Sequence, residues 1–225
     1  MKKIIFALGA WLTVNIALAA GLEAISSGDA SNGVREALAK GSEYAVAALG
    51  KENGFLGNSQ VKIPLPGVLQ KAEKGLRMLG MGKQADQLVE TMNHAAENAV
   101  AEAKPILVDA VHKLTVQDAK AILTGGEDSV TQFFRRTSSE ALAEKFAPIV
   151  KKSTGKLQLA DKYNQFAGKV ANAGLIEHKD ADLDAYVTQK AIDGLFLMIA
   201  EEEKKLRSNP LAAGSSLLKK VFGAL

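Results

Sequence analysis

The reading of this chain turns on Ala191-Ile192-Asp193-Gly194-Leu195-Phe196-Leu197-Met198-Ile199-Ala200. At about 100° per residue, Ile192, Leu195 and Ile199 fall on one side of a helix, Ala191 and Met198 on a second, and Phe196 and Leu197 on a third. A helix apolar nearly all round needs other helices around it. The run is much shorter than the roughly 18 apolar residues of a membrane span, and Asp193 interrupts it. It therefore reads as the central helix of a bundle. Asp193 needs a cation there: Lys190, one turn earlier on the same face as Tyr186, makes a local structural cluster, while Lys190, Arg135 or Arg207 could instead point at the head of an anionic ligand. Gly194 weakens the helix and so points to a close helix crossing.

Outward from this run, Glu201 to Arg207 prolongs the helix until Asn209-Pro210 stops it, and Asp180 or Asp182 caps its start. Leu217-Leu218-Lys219-Lys220-Val221-Phe222 is a last amphipathic segment. Upstream, Leu157–Ala173 carries Leu159, Tyr163, Phe166 and Val170 at helical spacing. Glu127–Arg136 and Ser139–Lys152 read as two helices, the second kinked at Pro148. Thr115-Val116-Gln117-Asp118 is a capping box with Asp in place of Glu, and Gly125-Gly126 closes the helix it opens. Lys83–Lys104 has Leu88, Met92, Ala95, Ala96 and Ala99 on one side, and Pro105 ends or kinks it. Pro66 starts a helix to Leu79, and Val61 to Pro66 is an extended strap that the prolines bar from a central strand. A first helix carries Val34, Leu38, Gly41, Ala45 and Leu49 up to Gly50, after a polar, glycine-containing Ser26–Gly33. The sum is an all-α, single-domain multi-helix bundle, with no repeat at a fixed period.

Met1 to Ala19 reads as a signal peptide: Lys2-Lys3, an apolar run, then Ala17-Leu18-Ala19 as the cleavage site. Residues 20–225 are then one exported, periplasmic domain. Losing Lys2 and Lys3 from 28 basic residues leaves them one ahead of the 25 acidic ones, a balance that argues against nucleic acid as partner. With no cysteine, disulfides, thiolate metal sites and a cysteine nucleophile are excluded.

Gly54-Phe55, Val61-Lys62-Ile63-Pro64-Leu65-Pro66, Met92-Asn93-His94-Ala95-Ala96-Glu97, Ile122-Leu123-Thr124-Gly125, Tyr186-Val187-Thr188 and Asp193-Gly194-Leu195-Phe196 resemble, in that order, the bacterial domain of unknown function 4197 family. Arg207-Ser208-Asn209-Pro210 and Leu217 to Gly223 extend the likeness, and His94 and Phe133 depart from it where arginine and tyrosine are expected. The resemblance implies an exported, all-helical protein without established enzymatic activity, and a helical barrel around an apolar lumen. It supplies no catalytic residues or cofactor.

No catalytic signature appears otherwise. His94 and Glu97, at i and i+3, have a spacing that two metal ligands could use, but an isolated His beside Glu is more often a satisfied pair, and no metal is expected. There is no Gly-x-Ser-x-Gly, and neither Gly80-Met81-Gly82-Lys83 nor Gly125-Gly126 has phosphate-loop spacing. Phe133-Phe134-Arg135-Arg136 reads as core plus rim. The leading expectation is a non-enzymatic carrier of a lipid, fatty acid or other apolar ligand, held among Met92, Tyr186, Lys190, Asp193, Met198, Arg135 and Arg207. The alternative is a structural protein whose amphipathic C-terminal segment docks on a protein partner or a membrane surface.

Overall fold

Four of the described helices start where a polar side chain takes up the first free amides. In the computed structural model, which describes residues 25–224 apart from 68, 71–76, 79, 81, 127–128, 156–160, 162, 165–181 and 213, Ser26 caps α1 (Ser27–Leu49) by accepting from the Asp29 amide. Helix α2 spans Gly82–Val100 and α3 Lys104–His112, with Pro105 in the first turn of α3, where a missing N–H costs nothing. Thr115 and Asp118 form the expected capping box at the start of α4 (Val116–Thr124). Helix α5 is Ser129–Thr154 and α6 is Leu183–Ser208, capped by Asp182. A 3₁₀ turn, Pro210–Ala212, leads to α7 (Ser216–Phe222). No strand occurs among the described residues.

Two boundaries differ from the sequence reading. The polar Ser27–Gly33 stretch is helical, and α7 packs tightly at Gly33: a Cβ there would lie 2.6 Å from Val221. Tertiary contact decides that segment. The two helices expected between residues 127 and 152 are one, α5, which runs through Pro148. At the expected gap, Thr137 and Ser138 turn their hydroxyls onto the carbonyls of Phe133 and Phe134, so the polar residues are absorbed by the helix itself. The signal peptide, Met81 and most of Leu157–Ala173 lie outside the described residues, as does part of the helix expected after Pro66.

Helix α6 is central as its composition requires, packing on α5, α1 and α2. It buries Val187, Ala191, Ile192, Leu195, Phe196 and Ile199, and the Phe196 ring stacks on Phe134 of α5 with centroids 6.4 Å apart. One strip stays open to solvent, through Gln189, Lys190, Asp193 and Leu197. The core is one continuous cluster drawing on every helix. Side chains fill the space around α6, and the cavity enclosed between α1, α4, α5, α6 and α7 measures about 10 Å³, room for one water, so the described residues form no acyl-sized lumen there. No described helix is long and apolar enough to cross a membrane.

The strap is extended rather than helical. Asn93, fully buried on α2, accepts from the Ile63 amide at 2.8 Å and donates to the Ile63 carbonyl at 2.9 Å, pairing with the strap as a neighbouring strand would. Gly194 serves this strap rather than a helix crossing. A Cβ at Gly194 would stand 2.7 Å from the Phe55 ring and 3.3 Å from Val61.

Candidate functional site

The seven residues expected to hold a ligand do not form one site. Met92 and Met198 are core: Met92 is fully buried, and Met198 accepts a weak hydrogen bond from the Asn58 side-chain amide of the strap segment. Asp193 is not inside the core but on the open strip of α6, its side chain 39% exposed. Its cation is Arg135 of α5 rather than Lys190, with both guanidinium Nη atoms 3.3 Å from the same carboxylate oxygen and Gln189 donating to that oxygen at 3.1 Å. Lys190 instead stands over the Tyr186 ring, 5.7 Å from its centroid, and the Tyr186 hydroxyl donates to the Pro64 carbonyl. Arg135, Asp193, Gln189, Lys190 and Tyr186 form a surface rim that ties α5 and the strap to α6. Arg207 sits at the far end of α6. It donates to Glu203 and to the Ile122 carbonyl that ends α4, and stacks over Phe222 of α7.

His94 and Glu97 are a clasp. The buried Glu97 carboxylate accepts from the backbone amides of Asn53, Phe55 and Leu56 at 3.0 to 3.2 Å and lies 2.7 Å from His94 Nδ1. Its acceptor sites are taken by the strap's turn, whose Asn53 has the left-handed φ of 59° that asparagine tolerates. Among the described residues no group of three His, Asp or Glu side chains gathers as a metal site needs.

A concave surface that no sequence motif announced lies between α1 and the C-terminal turns of α6. Ala37, Gly41 and Tyr44 line it from α1, Glu202 and Leu206 from α6, and Asn209, Ala212, Gly214 and Leu218 from the residues that follow, giving a groove of about 330 Å³. Ala37, Gly41 and Glu203 also line the 10 Å³ cavity beneath, whose remaining walls include Leu38, Ile122, Ile199 and Phe222. The groove floor is therefore the roof of the apolar core. Tyr44 is 44% exposed at its edge and Leu211, beside the lining Ala212, is 78% exposed. Lys40 pairs with Glu36, and Lys205 with Glu202 while its ammonium stands 5.2 Å from the Tyr44 centroid. The hydrogen bond from Lys40 holds the Glu36 carboxyl below its usual range, and the one to Glu202 raises Lys205. The sequence signal for this place was Gly41 on the buried side of α1, a residue equally suited to close packing.

The chain matches the family described as "Protein of unknown function (DUF4197)" over residues 24–223 and belongs to it. No curated protein and no solved structure matches the chain.

Proposed function

We propose that this chain is a non-enzymatic binding protein, acting in the periplasm to which its leader addresses it, that takes an apolar chain such as a lipid acyl tail into the groove between α1 and α6. The observation that carries this is the contact of the groove with the apolar core: Ala37 and Gly41 line both the groove and the small cavity walled by Leu38 and Ile199, beside the buried Glu203 that pairs with Arg207. At about 330 Å³ the groove stands at the small end of ligand sites, and each methylene fully buried in it contributes about 0.8 kcal/mol before ordering costs. The site lies at the surface, where expectation had put a central lumen. Docking through the C-terminal segment is the less favoured reading, because α7 already buries Leu218, Val221 and Phe222 within the chain.

Native mass spectrometry of protein taken from its own periplasm, followed by dodecanoate uptake, tests this. An adduct of acyl mass, and uptake lost in Leu206→Glu, which places a charge on the groove wall at a partly buried position, are expected. A clean apo mass with no uptake of added dodecanoate rejects the reading.

A further inference from the structure

We infer that α2 carries a surface site for a divalent transition-metal ion, held by His94 Nε2 and the Glu90 carboxylate and oriented by the buried Glu97 behind them. Glu97 uses both oxygens as acceptors: Oε1 takes the Phe55 and Leu56 amides, and Oε2 the Asn53 amide. The proton in its 2.7 Å contact with His94 is therefore the ring's own, on Nδ1. A neutral imidazole protonated there has its lone pair on Nε2, and the His94 side chain is 35% exposed. A metal-ligating histidine is arranged in this way, one nitrogen turned to the ion while the other donates to a carboxylate that fixes tautomer and ring plane.

The second ligand is within reach. Glu90 lies one turn before His94 on α2, at the i, i+4 spacing that sets two ligands on one helix face. Its Oε1 stands 3.9 Å from Nε2, too far for a hydrogen bond, so neither atom is committed to the other. Zinc, at about 2.0–2.2 Å from each donor, takes a nitrogen and an oxygen about 3.4 Å apart in tetrahedral geometry. The Glu90 side chain is 61% exposed and free to close that difference. Among the described residues no lysine or arginine pairs with Glu90 or Glu97, so two carboxylates flank a neutral ring and the site is net negative. With Glu97 spent on the strap's turn, water fills the remaining positions and the ion is exchangeable. An imidazole beside a carboxylate suits zinc, nickel and copper rather than calcium or magnesium, which take oxygen ligands.

Zinc chloride titrated into the untagged full chain at pH 7.5, where imidazole competes for metal rather than protons, tests the inference by calorimetry and by nitrogen-15 NMR of the assigned histidine rings. Before metal, His94 should show the Nδ1–H tautomer. On addition of zinc, its Nε2 resonance should shift ahead of those of the other two histidines, His112 and His178. Glu90→Gln, a change at an exposed side chain, should weaken zinc by about tenfold or more. His94→Arg, whose guanidinium can still donate to Glu97, should lose the site, and with it the rise in melting temperature that zinc gives the parent chain. A His94 ring that carries its proton on Nε2 overturns the inference, as does zinc that moves the other two rings and leaves His94 in place. Equal zinc affinity in Glu90→Gln overturns the pairing of the two ligands.

Discussion

Glu97 and Asp193 are both carboxylates on helices that face the core, and their surroundings give them opposite energetic standing. Glu97 holds three backbone amides of the turn that leads into the strap, more than 40 residues away, and the buried Phe55 amide among them has no water to turn to if it is removed. Hydrogen bonds to a charged acceptor are worth about 1.5–3 kcal/mol each, and orphaned buried donors cost a comparable amount. Glu97→Ala is therefore expected to destabilise by on the order of 3 kcal/mol or more. Asp193→Ala, by contrast, should cost within about 1 kcal/mol, since the ion pair is long and solvated. Paired urea melts decide it; equal costs for the two variants would contradict this ranking. Sequence reasoning had the weights reversed for a physical reason. On the wheel Asp193 is surrounded by apolar residues, yet Gln189, Lys190 and Leu197 share its strip and leave it wet. For Glu97 the visible neighbour was His94, because backbone amides from a distant turn carry no side-chain pattern.

The helical elements are where the sequence was most legible. The Thr115 box, the Asp182 cap, the stop at Asn209-Pro210 and the core face of α2 follow from local chemistry alone. Elements decided by contact were not legible: the early start of α1 rests on α7 fitting over Gly33, and the strap's course rests on Asn93. Gly194 shows the limit. Its cost to the helix signalled a close approach, but the approaching group is the Phe55 ring. Gly194→Ala should cost about 1–3 kcal/mol by displacing that ring. The same change in a Phe55→Ala background should cost clearly less, because the group that the new methyl strikes is gone. A four-variant cycle by thermal unfolding measures the coupling, and strict additivity would mean the cost of Gly194→Ala lies in another contact.

At the scale of the whole molecule, the resolved electrostatic shifts lie at the surface, and most of them join one element to another. Asp29 of α1 is held below its ordinary value of 3.8 by the Lys220 hydrogen bond from α7, and Glu43 of α1 below 4.5 by Lys104 of α3. For Asp118 of α4, desolvation pushes upward but is outweighed by the Thr115 hydroxyl and amide and by Arg136 of α5. These carboxyls are depressed in the folded chain, so their stabilisation is complete above their ordinary values and is lost as pH falls through the depressed ones. Lys205 has the opposite sign. Raised by Glu202, it contributes fully below its ordinary 10.5 and is lost above it. Stability should then be flat through neutrality and fall as pH drops below about 4.5. All these groups are largely solvated, so the loss is gradual, and added salt weakens the same pairs and makes the acid limb shallower. Urea midpoints at pH 7, 4 and 3, each in low and high salt, measure this. A midpoint that rises on acidification would show that the carboxylates repel one another more than their inter-helix partners hold them.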